Sequence, residues 1–510
     1  MFKKTLLLLL SACAALSLSA QEKPKAIVIF YADDLGYNDT STYGCKKVPC
    51  PNLDKLAEQG LLFTDAHSVS SVCTPSRYSL LTGTYAWRRR GMGILPGDAK
   101  LILPIKGEEL TIPAMMQQAG YRTAAIGKWH LGLGRGKKAT DWNKTISPSP
   151  REVGFDESFI MAATGDRVPC VYIHNGKVAN LDPADPIQVN YDEKFRFPGE
   201  VAAADCSEEQ LKQLLKPWGR SADKQHDKTI IDGISRIGHM SGGKSALWKD
   251  QDIADTINQA AVNFIRESAG KPIFLYFCTN DIHVPRDPHP RHRGKSGLGI
   301  RGDVTVQMDD SLGVVRKALA DAGYKPEETL LIFTSDNGPK ISDGYLDGAQ
   351  KDCEGHNPSE PFSGGKYTLQ EGGTRIPFIV HWPGTVQPGM SAALISQVDL
   401  GRSLAALIGY PLPEGEMYDS ENVLPALLGK DTQGRTELVE HNWGTTLALR
   451  RGALKLLPLK NGKWGLYNVE QDPAELHDLA SDMPEEVNAM KARIQEIRKQ
   501  RPMLPMHGMK

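Results

Sequence analysis

The sequence predicts an α/β protein with a large mixed, mostly parallel sheet sandwiched by helices and a smaller C-terminal α+β part. Continuous apolar runs at residues 25–32, 272–278 and 329–335 are typical of central parallel strands, and amphipathic helical segments alternate with them. A chain of 510 residues with 40% hydrophobic residues can bury a large core. We expect a main domain at 21–429 and a C-terminal subdomain at 430–510.

The first 20 residues are predicted to be a signal peptide. Lys3 and Lys4 precede a leucine run, and small residues follow as far as Ala20, where we expect cleavage. The apolar stretch is shorter than the ~20 residues that a transmembrane helix needs. We therefore expect export to the periplasm or the medium, without a transmembrane segment. Alternatively, Leu10 to Cys13 resembles a lipoprotein box, which would make the protein an outer-membrane lipoprotein attached through Cys13.

The net charge and the cysteines limit which partners, disulfides and metals are expected. The formal net charge of −1 argues against nucleic acid as the main partner. An oxidising compartment permits disulfides, and Cys45 and Cys50 could close a small loop, but free buried thiols are an equal alternative. The cysteines in question, besides Cys13 and Cys73, are Cys45, Cys50, Cys170, Cys206, Cys278 and Cys353. No Cys/His cluster has zinc-site spacing, so zinc is not expected.

The remaining elements follow from periodicity and from start and stop residues. Thr111 is a candidate helix cap and Gly120 a stop, and residues 252–267 carry apolar side chains at helical spacing. Residues 132–245 lack a clear period and are interpreted as long loops and short hairpins above the sheet. The other predicted elements are helices at 53–59, 111–119, 306–322 and 484–499, strands at 121–126 and 376–382, and antiparallel strands at 446–459 and 463–467 joined at 461–462.

Polar side chains follow four of the predicted strands. They are Asp33 and Asp34, Lys128 and His130, His283, and Asp336 and Asn337. Because ligands of open α/β sheets bind beyond the carboxyl ends of the strands, we expect these side chains to share one cleft. The carboxylate and amide oxygens among them suit Ca²⁺, with Mg²⁺ as the alternative. The competing interpretation is that each acid merely caps the turn that follows it.

Cys73 lies at the start of a predicted short helix. Pro75 suits the first turn, Gly83 suits the stop, and a helix N-terminus favours negative charge. A lone cysteine here would most simply be buried and inert. However, the pattern Cys-x-Pro-Ser-Arg-x-x-x-Leu-Thr-Gly at 73–83 resembles the motif of the type I sulfatases, members of the alkaline phosphatase superfamily. The resemblance extends from about residue 25 to the C-terminal end.

This resemblance implies a catalytic domain with an alkaline phosphatase-like fold and a modified cysteine. In the family, a separate formylglycine-generating enzyme, also called the sulfatase-maturing enzyme, oxidises the cysteine to formylglycine, so Cys73 would become the nucleophile. Arg77 would orient it. The implied Ca²⁺ ligands are Asp33, Asp34, Asp336, Asn337 and the modified Cys73.

The resemblance also implies roles for the remaining groups. Lys128 and Lys366 would bind the sulfate, and His130 would be the base that lets sulfate leave. His283 would protonate the leaving alcohol or bind the sulfate, and Asp336 is a second candidate base. Gly364 and Gly365 would allow the backbone beside Lys366 to approach closely.

The substrate is less well determined by the sequence. The pattern resembles secreted bacterial sulfatases that desulfate host or algal glycans, which implies a sulfated carbohydrate partner with sulfated galactose or N-acetylgalactosamine. We expect Asp166, Arg167, His226, His239 and Trp443 to overhang the cleft. The run 88–90 of three arginines is interpreted as a solvated face, or else as a site for anionic polysaccharide.

Two other functions remain open at this point. One is a phosphate or phosphonate monoesterase of the same superfamily. The other is a non-catalytic sulfoglycan-binding protein in which Cys73 stays unmodified.

Overall fold

The computed structural model describes residues 23–460 and 462–507. The predicted signal peptide, Cys13 and Asn461 lie outside the described residues. The strands are β1 (Ala26–Ala32), β2 (Leu61–Phe63), β3 (Ala66–His67), β4 (Arg89–Arg90), β5 (Arg122–Lys128), β6 (Glu157–Met161), β7 (Tyr172–His174), β8 (Lys177–Val178), β9 (Gln188–Asn190), β10 (Ile230–Ile231), β11 (Ile234–Ser235), β12 (His239–Ser241), β13 (Ile273–Cys278), β14 (Thr329–Ser335), β15 (Phe378–His381), β16 (Gly389–Ser391), β17 (Ile395–Ser396), β18 (Glu437–His441), β19 (Leu447–Arg451), β20 (Leu454–Pro458), β21 (Trp464–Asn468) and β22 (Leu504–Pro505).

The helices accompany these strands along the chain. They are α1 (Pro51–Glu58), α2 (Cys73–Thr82), α3 (Ile112–Gln118), α4 (Pro150–Val153), α5 (Glu208–Leu214), α6 (Ile253–Glu267), α7 (Gly299–Asp321), α8 (Ala349–Asp352), α9 (Glu371–Thr374), α10 (Leu400–Ile408), α11 (Leu424–Leu427) and α12 (Pro484–Gln500). In the described part of the chain, none of them is long and apolar enough to span a membrane.

A ten-stranded mixed sheet organises the fold. Its order is β16-β2-β15-β14-β1-β13-β5-β6-β7-β8, and the five central strands from β14 to β6 run parallel. Every residue of β1, β13 and β14 is buried, so both faces of the centre are covered. Helices α6 and α7 pack against each other, and α2 packs with α3 and α10. The predicted fold class is therefore confirmed.

Several predicted elements differ in detail. The strand predicted at 376–382 is β15, which runs antiparallel to β14. Helix α7 begins at Gly299 rather than at residue 306, because its first turns bury polar side chains such as Arg301 and Asp303, which an apolar period does not reveal. The segment predicted as one strand at 446–459 is the hairpin β19–β20, which reverses at Gly452 with φ 55°.

The C-terminal sheet is not isolated from the main sheet. Strands β18 to β21 form an antiparallel meander on which α12 packs. Its apolar side chains share a buried cluster with Val69, Tyr85 and Trp87, which flank α2 on both sides. The segment that carries Cys73 is thereby held between the two sheets. The boundary between 429 and 430 stays a prediction.

The cysteines of the described residues are all unpaired. They are Cys45, Cys50, Cys73, Cys170, Cys206, Cys278 and Cys353. Of the two alternatives left open by the sequence, the structure shows free thiols.

Candidate active site

The carboxyl ends of β1, β5, β13 and β14 bring the predicted groups together. Asp33 and Asp34 follow β1, His130 follows β5, and Asp336 follows β14. Asp34 and His130 have φ values of 59° and 55°, a left-handed conformation that residues other than glycine adopt mainly where the surrounding structure enforces it. The strand-end argument therefore located the cleft correctly.

Cys73 is the first residue of α2 and faces His130. The Sγ atom lies 3.2 Å from His130 Nδ1, and His130 Nε2 lies 2.9 Å from the carbonyl oxygen of Leu95. Because a carbonyl only accepts, Nε2 carries the proton and Nδ1 presents a lone pair to position 73. Burial raises the pKa of the Cys73 thiol, and burial together with Lys128 and Arg167 holds the pKa of His130 well below its usual value.

Three carboxylates and one amide form a compact group of oxygen donors. Carboxylate oxygens of Asp33, Asp34 and Asp336 lie within 4.8 Å of one another. Asn337 donates from Nδ2 to Asp34 Oδ1 at 2.8 Å, while its buried Oδ1 has no hydrogen-bond partner among the described residues. Such an orphaned acceptor costs about 1–3 kcal/mol unless something satisfies it. The donor set fits a hard divalent cation.

Cationic side chains face these acids from the interior. Arg77 donates from Nε and Nη2 to Asp336 Oδ2 at 3.0 and 2.8 Å. Lys128 Nζ lies 2.6 and 2.5 Å from the two carboxylate oxygens of Asp33. The side chains of Arg77 and Lys128 are fully buried, and neither lines the open pocket. Arg77 and Lys128 therefore neutralise the acidic group from the protein interior, on the side away from the pocket.

Lys366 and His283 reach the same group from the pocket side. Lys366 Nζ donates to Asp34 Oδ2 at 2.8 Å and to Asp343 Oδ2 at 2.9 Å. Burial opposes the charge on Lys366, but these two carboxylates outweigh it and hold its pKa well above the usual value. His283 donates from Nδ1 to the carbonyl of Val284 at 2.6 Å, which leaves Nε2 facing Asp34 Oδ2 at 3.9 Å. Burial, Lys366 and Lys128 keep the pKa of His283 well below its usual range.

A close backbone approach fixes Lys366. The amide of Lys366 donates to the Pro339 carbonyl at 2.9 Å. A Cβ at Gly365 would lie 2.6 Å from that same carbonyl oxygen, and Gly364 has φ 76°. The predicted close backbone approach is confirmed at Gly365, and the positive φ of Gly364 explains the second glycine.

The C-terminal sheet supports the segment after Lys366 through buried charges. Lys455 of β20 lies 2.8 Å from Glu371 Oε1 and 2.7 Å from Glu440 Oε2, and all three side chains are fully buried. Glu371 opens α9, whose Gly373 carbonyl accepts from the Gly338 amide at 2.9 Å. The network thus connects β20 with the turn that carries Asn337.

The open pocket above Cys73 has a volume of about 730 Å³. Its wall includes Cys73, His130, His283 and Lys366 and, as predicted, Asp166, Arg167, His226 and Trp443. His239 is wrongly predicted, because it is buried elsewhere with Nδ1 2.6 Å from Glu200 Oε1. Sequence reasoning missed Tyr191, Asp223, Asp343 and Tyr367 of this wall, and no local motif marks them.

The interpretation of 88–90 as a solvated face holds for the exposed Arg90 and is wrong for Arg88 and Arg89. Arg88 and Arg89 are 3% and 4% exposed. Arg88 pairs with Asp419 at 2.8 Å and stacks on the Trp87 ring, while Arg89 pairs with Glu109. Neither lines the pocket. These two arginines hold distant segments together, which a local charge pattern cannot show.

Comparisons with known proteins agree with this geometry. Residues 25–410 match the Sulfatase family, and residues 365–500 match the family of N-sulphoglucosamine sulphohydrolase C-terminal regions. An N-acetylgalactosamine-6-O-sulfatase of Bacteroides thetaiotaomicron is 46% identical over 94% of this chain and 93% of its own. Human arylsulfatase A is 32% identical over 84% of this chain and 72% of its own.

Solved structures that superpose on this protein also include sulfatases. A Bacteroides thetaiotaomicron 6S-sulfatase from work on glycosaminoglycan metabolism superposes with a TM-score of 0.88 at 44% identity, covering 94% of this chain and 99% of the other. A sulfatase from Pseudoalteromonas sp. superposes with a TM-score of 0.67 at 25% identity, covering 96% and 93%. The match over most of the chain, together with the Cys73 motif at the floor of the pocket, establishes that this protein is a member of the sulfatase family and a sulfuric ester hydrolase.

Proposed function

We propose that this sulfatase removes the 6-O-sulfate from N-acetylgalactosamine or galactose units of glycans. The observation that carries the proposal is the position of Cys73 at the floor of a polar pocket, 3.2 Å from a histidine lone pair. Support for the sugar comes from the relative that is 46% identical over nearly the whole chain and is named for N-acetylgalactosamine 6-sulfate. The predicted signal peptide supports action outside the cytoplasm, which cell fractionation tests.

The nucleophile in this proposal derives from Cys73. A buried thiol with a raised pKa is itself a poor nucleophile. When a sulfatase-maturing enzyme has converted Cys73 to formylglycine, the hydrated aldehyde supplies the attacking hydroxyl. His130 Nδ1 is the proton acceptor for a hydroxyl at position 73, since its lone pair points there and its low pKa keeps the ring neutral. Arg77 orients this end of α2 through its bonds to Asp336.

The remaining groups handle the charge of the sulfate and the leaving alcohol. Lys366 binds the sulfate from the pocket wall, and the buried Lys128 adds positive charge from the protein interior. His283 Nε2 is the atom that delivers a proton to the leaving oxygen. The single negative charge of the sulfate ester offsets the two lysines that lower the pKa of His283, so substrate binding favours protonation of His283.

A bound divalent cation belongs to the same proposal. Asp33, Asp34, Asp336 and Asn337 would hold it, with Ca²⁺ as our choice and Mg²⁺ as the alternative. When bound, the cation would supply positive charge that stabilises the negative charge of the sulfate. Asp336 already accepts from Arg77 and from the Asp34 amide, which favours an electrostatic role over that of a base.

The test is sulfate release by protein co-expressed with a sulfatase-maturing enzyme. We expect turnover of 6-sulfated N-acetylgalactosamine in preference to the 4-sulfated isomer, and of aryl sulfate in preference to aryl phosphate. Cys73→Ala should bind the sulfated sugar without hydrolysing it. Preference for the 4-sulfated sugar would contradict the proposed position, and more efficient phosphate cleavage would contradict the proposed reaction.

A further inference from the structure

Trp443 lies at the mouth of the pocket and is unusually exposed. Its side chain belongs to the pocket wall, yet the residue is 60% exposed. By contrast, Cys73 at the floor is 1% exposed, and His283 and Lys366 are 6% and 3% exposed. Tryptophan combines a large apolar surface with a polar N–H group and is enriched at binding interfaces.

Backbone hydrogen bonds tie the segment before Trp443 to the segment before Cys73. The His441 amide donates to the Val69 carbonyl at 2.9 Å, and the Ser71 amide donates to the His441 carbonyl at 3.1 Å. Cys73 lies two positions after Ser71 in the sequence, and Trp443 lies two positions after His441. On the far side, Arg498 donates to the Thr445 carbonyl at 2.6 Å. The loop that carries Trp443 is therefore tied at both ends, which keeps this residue at the pocket mouth.

The position of Trp443 at the mouth of the pocket indicates which part of a glycan would contact it. The groups proposed to bind sulfate lie at the floor, so the sulfated ring occupies the space directly above them. Trp443 borders the outermost space, where the next ring of a chain would lie. A pyranose ring has an apolar C–H face that suits an indole, and the wall also contains Asp223, Gln225 and His226, which can bind hydroxyl groups.

We propose that Trp443 forms the platform of a second sugar subsite, on which the ring next to the sulfated residue stacks. The inference rests on the proposed function, because it assumes a glycan substrate. It assigns the C-terminal subdomain a direct part in substrate binding. The enzyme should then prefer an oligosaccharide to a monosaccharide that carries the same sulfate.

The experiment compares the kcat/KM values for a 6-sulfated N-acetylgalactosamine monosaccharide and for disaccharides extended by one unsulfated ring on either side. Trp443→Ala should lower the ratio of disaccharide to monosaccharide kcat/KM by about fivefold or more, and Trp443→Phe should restore most of it. Met390→Ala is the matched control, since Met390 is a 75% exposed apolar side chain outside this pocket. An unchanged ratio in Trp443→Ala, or equal loss on both substrates, would overturn the proposal.

A second measurement separates this proposal from the substrate proposal. Calorimetric binding of the unsulfated disaccharide to Cys73→Ala and to Cys73→Ala/Trp443→Ala does not depend on turnover. Weaker binding by the double variant supports the subsite even if the wild type releases no sulfate from these sugars, which would refute only the proposed substrate. Equal binding by both variants would refute the subsite.

Discussion

Lys455→Met should destabilise the folded protein by about 3–5 kcal/mol. Lys455 lies 2.8 Å from Glu371 and 2.7 Å from Glu440, and the three side chains are fully buried. Methionine keeps the apolar stem but leaves two carboxylates in the interior without their shared cation. Removing one partner of a buried ion pair typically costs this amount. Arg375 at 2.9 Å from Glu371 and His67 at 2.9 Å from Glu440 compensate only part of the remaining charge.

The assay is urea unfolding at neutral pH, followed by tryptophan fluorescence and far-UV circular dichroism. Lys317→Met is the matched control, because Lys317 pairs with Asp321 on the surface at 74% and 63% side-chain exposure. Its loss should be no more than about 0.5 kcal/mol. Adding Glu440→Gln to Lys455→Met should recover part of the loss, since one buried charge is then removed. A loss in Lys455→Met no larger than in the control would refute the reasoning.

Three further predictions concern pH, metal and catalysis. Burial, only partly offset by Lys455, raises the pKa of Glu475 to about 7 from its usual 4.5, so wild-type stability should fall as pH rises between these values. Glu475→Gln should make this fall smaller by up to about 3 kcal/mol, and an unchanged pH dependence of urea unfolding would contradict the prediction. Chelation should abolish activity and lower the melting temperature, with Ca²⁺ restoring both better than Mg²⁺; full activity after exhaustive chelation would exclude the proposed cation. His130→Ala should lower kcat by about 10²–10⁴-fold in steady-state assays of the matured enzyme, and a smaller effect would remove His130 as the proton acceptor.

Strand ends could be predicted because burial on both faces gives an unmistakable local pattern. The apolar run of β1 ends at Asp33, and that of β14 ends at Asp336, so sheet topology alone places both acids at one edge. The glycines before Lys366 were similarly informative, because Gly365 lets the backbone approach the Pro339 carbonyl and Gly364 has a positive φ. In such cases the residue type and its sequence neighbours are enough to predict the local structure.

Side chains whose partners are distant in sequence could not be predicted. Arg88 resembles a solvated charge until Asp419 is placed beside it, and Asp343 has no distinguishing neighbours until it meets Lys366. The start of α7 was missed for a related reason, since Arg301 is buried against Asp39 from another part of the chain. Local periodicity records burial of apolar groups, whereas these residues are buried as ion pairs.

Mass spectrometry of the tryptic peptide that contains Cys73 tests the central claim most directly. The protein would be purified from its native host, or from cells that contain a sulfatase-maturing enzyme, and assayed for sulfate release from the same preparation. We predict that the peptide carries an aldehyde in place of the thiol, and that specific activity rises in proportion to the converted fraction. Full sulfatase activity in a preparation whose Cys73 is entirely an intact thiol would contradict the account.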